Sequence, residues 1–431
     1  MAVPGPCVLP KVAKRMPGTA RMPAHRPAYQ PSRGAGARAV QRTSGERHIM
    51  PSEPAPNESQ IDQRPLPSTS DWNNIGGTAQ PQSLIAPIYF GDAIYAFAQS
   101  SSNTLALCKI DALGRPEAWR RYGFTSNSSP ATAVARTSPD YLGVARLASP
   151  TTVEIDYIRP SAPEPINIVQ ASVVGGLPRG TVFAGPVQLV RNADSRLEAF
   201  ALDTAGRMWQ ATEVARDPPP ANWTRWQQIP GPILNAMAQQ FQALLIDSGP
   251  NAGLVAVVAL SRDGKMYRAL QMPQQFGFYG NFAVVGTYAN LSSSSFIWAP
   301  TVVFDATIQC MIFAAYNDTP QVDNSPVVYC FERPNSSDWK AFAADPNAPM
   351  PEASMVLTST GNTTYLIGSA DGGQVNLTSQ AGATWSTNPQ NVGAANPAFT
   401  LNLTAVANDN KIGLFQPVMD GTVAFINYLP R

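Results

Sequence analysis

Short apolar runs separated by turn residues dominate the chain from about residue 72 onward. The stretch DSRLEAFALDTAGRMWQATEVARDPPPANWTRWQQIPGP, residues 194–232, gives the pattern in full. It predicts two strands joined by a tight turn, a Pro-rich loop, and a third strand that begins at Trp226 and ends in a Pro-Gly pair. One such unit cannot bury its own apolar faces. The pattern therefore predicts similar units on both sides.

The same strand–turn–strand pattern recurs along the chain. LEAFALDTAGRMW is followed by LVAVVALSRDGKMY, in which Gly264 aligns with Gly206 and Tyr267 with Trp209. Seven units are found, with turns near residues 103, 150, 206, 264, 323, 373 and 421. Their strands are almost continuously apolar, as in a sheet covered on both faces. A strand repeat of this length is typical of a β-propeller, so the sequence predicts an all-β, seven-bladed propeller.

The two ends of this predicted propeller are expected to pair. WNNIGGT, from Trp72, repeats the pattern of WQQIPGP, from Trp226, but precedes the first unit. The last unit reaches Arg431 after only three strands. We therefore predict that an N-terminal strand at 71–77 completes the seventh blade and leaves no unpaired edge.

The residues before this strand have a different composition. Residues 1–48 hold nine Lys or Arg and one acid, and residues 1–70 hold twelve prolines and one aromatic residue. So little apolar material cannot offset the entropy of ordering the segment. We predict a disordered basic tail at 1–70 and the propeller at 71–431. The tail's charge also leaves a transit-peptide role or nucleic-acid contact open, although its prolines would break a targeting helix.

The repeat also resembles a known family. Residues 194–232 are similar to one repeat of the seven-bladed bacterial lectins of the Photorhabdus luminescens lectin type, which runs Asp-Gly-Arg-Leu-Glu-Val-Phe, Asp-Gly-x-Leu-Tyr/Trp, Trp-x-x-Trp and a Gly-Gly turn. This chain departs from it at Ser195 and Ala205, and has Trp209-Gln210 where the family has Tyr-His. The resemblance implies a propeller that binds sugars such as fucose or related sugars at sites between blades.

Catalytic chemistry has little support in the sequence. Both histidines, His25 and His48, lie in the tail, which argues against imidazole catalysis and His-ligated metal in the body. Nucleotide-binding glycine motifs are absent, and no cofactor or metal is expected. TSQAGATW, residues 378–385, partly matches the Asp-box turn of sialidase-like propellers. A glycoside hydrolase is therefore kept as a third hypothesis.

Aromatic residues near strand ends are the remaining candidates for binding. A sugar's C–H face stacks on such rings, and polar groups bind its hydroxyls. The alternative for each Trp is that it anchors one blade against the next, and Trp72 and Trp226 fit that role best. The predicted carbohydrate-binding residues are Trp209, Gln210, Trp223, Tyr267, Arg268, Trp339 and Trp385.

Two non-catalytic functions follow from these observations. The first is a multivalent lectin for cell-surface glycans. The second is a protein-interaction scaffold, which the divergence between units favours. The folded body is not expected to bind nucleic acid, and the longest apolar run, nine residues at 252–260, is too short to span a membrane. Homo-oligomerisation stays open. An extracellular location is favoured over the cytoplasm, despite the lack of a recognisable signal peptide.

Cysteines leave one structural question open. Cys310 and Cys330 lie on what the pattern predicts to be consecutive strands. A disulfide would require a register that sets them opposite each other, and two separate buried thiols are the alternative.

Overall fold

The structure is a computed structural model of the chain. It describes residues 72–80, 83–126, 133–137, 140–159, 168–214, 222–235, 241–288, 291, 296, 300–317, 327–332, 338–341, 354–360, 363–369, 373–381, 384–386, 390–400, 402–408 and 411–428. The predicted tail at 1–70 and the predicted turn near 323 lie outside these ranges.

The described residues form β-strands and no α-helix, as the short, continuous apolar runs predict. The strands are β1 Asn73–Asn74, β2 Ala86–Phe90, β3 Ala93–Gln99, β4 Thr104–Ile110, β5 Arg120–Thr125, β6 Ala133–Thr137, β7 Asp140–Ser149, β8 Thr152–Ile158, β9 Ile168–Val173, β10 Gln188–Arg191, β11 Leu197–Leu202, β12 Met208–Thr212, β13 Gln227–Gln228, β14 Phe241–Leu245, β15 Val255–Leu260, β16 Met266–Met272, β17 Gln275–Tyr279, β18 Ala283–Val284, β19 Thr301–Asp305, β20 Cys310–Tyr316, β21 Val327–Glu332, β22 Lys340–Ala341, β23 Ser354–Thr360, β24 Thr363–Ser369, β25 Val375–Ala381, β26 Thr384–Trp385, β27 Gln390–Val392, β28 Thr404–Ala407, β29 Ile412–Pro417 and β30 Val423–Tyr428.

These strands pair into separate antiparallel sheets, each built from strands that are close in sequence except at the chain ends. In chain order they are sheet 1 (β2–β5), sheet 2 (β6–β9), sheet 3 (β10–β13), sheet 4 (β14–β18), sheet 5 (β19–β22), sheet 6 (β23–β27) and sheet 7 (β28–β30 with β1). Sheets 4 and 6 each carry a fifth strand that the sequence pattern did not predict, β18 on β16 and β27 on β25.

The first strand of each sheet lies innermost. Innermost strands of successive sheets contact each other, and β28 of sheet 7 contacts β2 of sheet 1. The described residues thus have an all-β, propeller-like arrangement in which sheets pack face to face around a common centre.

β1 belongs to the last sheet although it precedes the first one. Asn73 lies opposite Phe425 and Asn74 opposite Ala424. The backbone N–H of Ile75 donates to Val423 (2.9 Å), and that of Val423 donates to Gly76 (2.9 Å). This is the pairing predicted for the segment after Trp72.

The apolar core lies between the sheets. Strands such as β11 and β15 are buried at every position, because each has a neighbouring sheet on both faces. Val257 and Ala259 face sheet 3, while Val258 and Leu260 face sheet 5. A continuous apolar run is therefore what a strand between two sheets requires.

The cysteines do not form a disulfide. Cys330 lies opposite Phe313, whereas Cys310 lies opposite Asp305. The strand register therefore does not place the two cysteines opposite each other. Neither is in a disulfide and both are buried, as is Cys108. Burial raises the pKa of Cys330 and of Cys108 to about 12, which keeps both thiols protonated at neutral pH.

No helix within the described ranges is long and apolar enough to cross a membrane.

Candidate functional site

The described residues of the unit at 194–232 supply β11, β12 and β13 of sheet 3, and the turn between β11 and β12 is held by one carboxylate. Asp203 Oδ1 accepts hydrogen bonds from the backbone N–H of Ala205 and of Arg207 (both 2.9 Å), and Oδ2 accepts from Trp209 Nε1 (2.9 Å). Burial raises the pKa of Asp203, but the hydrogen bonds from Arg207 and Trp209, together with the Arg207 charge, outweigh it and hold the pKa below its usual value. The turn and the Trp209 ring are therefore one rigid unit.

The structure distributes the predicted binding residues over several sheet interfaces and does not gather them in one site. Trp209 and Trp223 pack between sheets 2 and 3. Tyr267 packs between sheets 3 and 4, and Trp339 between sheets 4 and 5. Trp385 packs between sheets 5 and 6.

Four of the predicted residues are buried. Trp209 is 5% exposed, Trp223 9%, Gln210 2% and Trp339 0%. Trp339 Nε1 donates to the carbonyl of Val285 (2.8 Å) in the neighbouring sheet. A ring covered in this way offers no face to a sugar, so the burial favours the anchoring role that was the alternative for each Trp.

Three predicted residues keep part of their surface in solvent: Tyr267, Arg268 and Trp385. The Tyr267 hydroxyl donates to Asp263 Oδ2 (2.9 Å). The Trp385 ring stacks on Phe331, with ring centroids 6.4 Å apart. Tyr267 and Arg268 thus have both an apolar surface and a polar group at the edge of an interface, whereas Trp385 keeps its Nε1 buried.

Arg268 forms an ion pair with Glu332, and the pair joins sheet 4 to sheet 5. Each side chain is 20% exposed, and Arg268 Nε has no hydrogen-bond partner. Burial raises the pKa of Glu332, and the Arg268 guanidinium opposes that shift. A guanidinium beside a carboxylate at a partly open interface can bind hydroxyl groups.

One anchoring geometry recurs at these interfaces. The sequence suggested anchoring Trp residues but did not show which residues they pack against. An aromatic residue just before an outer strand packs on a glycine that follows the outer strand of the preceding sheet. Trp119 lies against Gly77, and its Nε1 donates to Ile75 (3.1 Å). Phe282 lies against Gly231 so closely that a Cβ there would be 2.5 Å from the ring. The same relation joins Trp72 to Gly393.

Two buried glutamates also join sheets, and sequence reasoning did not single them out. Glu198, in sheet 3, accepts from Gln271 Nε2 (2.7 Å) and from the Tyr279 hydroxyl, both in sheet 4. Burial raises the pKa of Glu198, although its hydrogen bonds oppose the shift. Glu213 accepts from the Tyr157 hydroxyl of sheet 2 (2.6 Å). The available signal was one acidic residue in an otherwise apolar strand for Glu198, and one directly after the end of a strand for Glu213.

A cavity of about 280 Å³ lies at the centre, where the innermost strands begin. Its lining comes from the starts of β2, β10, β14, β19, β23 and β28 and from the residues just before them. The described lining side chains are apolar or neutral, with no acid or base among them. The cavity thus provides apolar surface and a few uncharged hydrogen-bonding groups.

Neither a family model nor a curated protein matches the sequence. Solved structures do match the fold. The BP39L lectin from Burkholderia pseudomallei has a TM-score of 0.60 at 13% identity, covering 81% of this chain and 96% of that one. An ulvan lyase, a polysaccharide lyase solved with bound sugar, has a TM-score of 0.53 at 11% identity, covering 83% of this chain and 94% of that one. At such identities the likeness establishes the fold alone.

Proposed function

We propose that this chain is a non-catalytic, multivalent carbohydrate-binding propeller of seven blades. Seven described sheets whose innermost strands contact in a closed circuit support the blade count. The sugar-binding role rests chiefly on one observation. The described residues of the unit at 194–232, which resembles the repeat of a lectin family, supply β11, β12 and β13 of sheet 3, in an arrangement similar to that of the BP39L lectin.

The sugar contacts proposed here are the accessible residues Tyr267, Arg268 and Trp385. Tyr267 and Trp385 supply ring faces for stacking, and Arg268 supplies donors for hydroxyl groups. The three residues lie on different sheet interfaces. Several weak sites on one ring would gain avidity on a dense glycan surface. We propose fucose or related neutral sugars as the ligand class.

The test is a glycan array with the full chain, followed by titration of variants with the sugars that bind. Tyr267→Ala and Trp385→Ala should each weaken binding about fivefold or more, since a stacked ring contributes on the order of 1 kcal/mol. Tyr267→Phe is the matched control because it keeps the ring and should bind within about twofold. A chain that binds no glycan, or Ala variants that fold and bind unchanged, would contradict this proposal.

A protein-interaction scaffold is the second candidate, and one observation favours it. Val182, Ile233 and Met419 are 37%, 48% and 65% exposed. Val182 and Ile233 lie in loops that bond to the turn between the second and third strands of sheets 3 and 4, as in the hydrogen bond from Thr204 N–H to Val182 (2.9 Å). Met419 lies in the corresponding turn of sheet 7 and donates to Ala398 (2.9 Å). Exposed apolar residues at these loop–turn contacts favour a protein partner. Polar substitution of all three should then leave glycan binding unchanged while abolishing co-purification of that partner.

Hydrolase and lyase activity is the third possibility to test. Among the described residues that line the central cavity there is no acid or base, which supports a non-catalytic role because general acid–base chemistry needs a titratable group within reach of the substrate. Chromogenic glycosides and an assay for unsaturated sugar products should therefore give no turnover with the intact chain.

A further inference from the structure

The turns between the second and third strands of sheets 3 and 4 are joined by one loop. The backbone N–H of Leu234 donates to Gly206 in the turn of sheet 3 (2.8 Å), and that of Arg262, in the turn of sheet 4, donates to Ile233 (3.1 Å). A Cβ on Gly206 would lie 2.9 Å from Ile233 Cγ2, so this side chain packs on the turn of sheet 3. The loop is therefore fixed before any partner arrives, which lowers the entropy cost of binding there.

Ile233 occupies a position that recurs in the repeat. The residue at this position accepts a hydrogen bond from a backbone N–H of the neighbouring turn, and in sheets 3, 1 and 7 it is Val182, Thr78 and Ala398. Since Thr and Ala accept the same bond, the fold does not require a branched apolar residue here. Val182 and Ile233 are nevertheless 37% and 48% exposed. These two apolar side chains are therefore specific to the turns of sheets 3 and 4.

Cations follow the same distribution. The last residue of each turn has a carbonyl that accepts the backbone bond closing the turn, and it is Arg207 in sheet 3 and Lys265 in sheet 4. At the aligned positions of sheets 1 and 7 it is Thr104 and Thr422. The fold thus does not require a cation at this position either.

The turn patch, defined as residues 178–182, 203–207, 231–235 and 261–265, has an excess of positive charge. It holds four Lys or Arg and two Asp, although residues 49–431 as a whole hold 28 acidic and 21 basic residues. Arg179 and Arg262 are exposed and form no ion pair with a described residue. Arg207 bonds Asp203 through Nε alone (2.6 Å), and Asp203 is 1% exposed. The patch therefore presents cations whose charge is not balanced at the surface.

We propose that the turn patch binds an acidic protein segment. An aliphatic side chain of this segment packs on Val182 and Ile233. Carboxylates on either side of it pair with Arg179, Arg207 and Arg262.

The chemistry of the patch favours a protein over the other ligands. A nucleic acid would place phosphates on the arginines but leave the aliphatic side chains uncovered, since bases stack on aromatic rings. A sugar likewise needs a ring face. The proposal rests on the second function above, the protein-interaction scaffold, and it does not depend on sugar binding.

The experiment begins with selection from a library of random dodecapeptides on the full chain. The double variant Ile233→Thr, Arg262→Glu serves for counter-selection. The enriched peptides should carry Asp or Glu on both sides of a Leu, Ile or Val. Their affinity, measured by fluorescence anisotropy, should fall as the salt concentration is raised to about 0.5 M, because salt screens exposed ion pairs.

Single variants then separate the two parts of the patch. Ile233→Thr introduces the residue that sheet 1 has at this position and should weaken peptide binding about fivefold or more. Arg262→Glu should weaken it by a similar factor, and more at low salt than at high salt. Met419→Thr is the matched control. It removes an exposed apolar side chain from the turn of sheet 7 and should leave the affinity within about twofold.

Selected peptides without acidic residues, or unchanged binding to folded Ile233→Thr and Arg262→Glu, overturn the proposal. If Ile233→Thr does not fold, Arg262→Glu against Met419→Thr decides the question. An oligonucleotide that binds more tightly than every selected peptide, and is lost in Arg262→Glu, also overturns it. A chain that binds glycans but selects no peptide overturns the turn patch alone, whereas one that selects acidic peptides but binds no glycan overturns the lectin sites alone.

Discussion

At the scale of single residues, burial decides what each side chain can do. Trp209 and Tyr267 occupy aligned positions in their units, yet Trp209 Nε1 bonds the buried Asp203, whereas the Tyr267 hydroxyl bonds the exposed Asp263. Asp203 lies just before the turn of its unit, whereas Asp263 lies within the turn of the next unit. Two residues with the same place in the repeat therefore differ in access to a ligand.

The same scale yields a pH prediction at Asp156. This carboxylate is fully buried in sheet 2, and its Oδ2 accepts from Arg146 Nε (2.8 Å) while its Oδ1 has no partner. Burial raises its pKa to about 6, since the opposing Arg146 charge is shared with Glu154. A pKa that is higher in the folded chain than in the unfolded one stabilises the fold below about pH 4, and this contribution is lost as the pH rises through about 6.

The measurement is the free energy of unfolding of the parent and of Asp156→Asn between pH 4 and 7.5. Relative to this variant, the parent should lose about 2 kcal/mol over that interval. The difference between the two unfolding free energies cancels the pH-dependent contributions of the other acids, including that of Glu198. A pH-independent difference would show that Asp156 keeps an ordinary pKa when folded.

At the scale of elements, close packing between the outer strands of neighbouring sheets depends on small residues. A Cβ on Gly175, which follows β9, would lie 2.6 Å from the carbonyl oxygen of Thr224 in sheet 3. A Cβ on the next residue, Gly176, would meet nothing within 4 Å. Gly175 thus has no room for a side chain, whereas Gly176 does. Comparing substitutions at these two glycines tests whether sheet packing requires the close approach.

We expect Gly175→Ala to lower the free energy of unfolding by about 1–3 kcal/mol, because backbone atoms must move to admit the methyl group. Gly176→Ala should leave it unchanged or raise it by about 0.5 kcal/mol through the lower entropy of the unfolded chain. Urea denaturation of both variants measures this. Equal losses would mean that the close approach to Thr224 is not needed for packing.

The hairpins could be predicted from sequence, and the packing between sheets could not. Asn103, Gly206 and Gly421 have positive φ at predicted turns, because local turn chemistry is visible in a short window. The partner of each Trp is not local: Trp119 meets a glycine before the first sheet, and Trp72 meets Gly393. The cysteine register likewise depends on a loop length that no residue pattern determines.

At the scale of the whole molecule, one short strand links the beginning of the described chain to its end. β1 pairs with β30, and Ile75 is 6% exposed in the core between sheets 7 and 1. Trp119 of sheet 1 donates to the Ile75 carbonyl (3.1 Å). Removing this segment would therefore expose the edge of β30 and uncover the interface that brings the last sheet against the first.

Two truncations test this role of β1. Deleting residues 1–60 should leave the melting temperature within a few degrees, since β1 and its contacts are kept. Deleting 1–80 should lower the free energy of unfolding by about 3 kcal/mol or more, through lost burial of Ile75 and lost backbone hydrogen bonds. A synthetic peptide of residues 66–80 should restore much of that stability by pairing with β30, and its Ile75→Asp version should not. If both truncated chains melt at the same temperature, β1 does not hold the ends together.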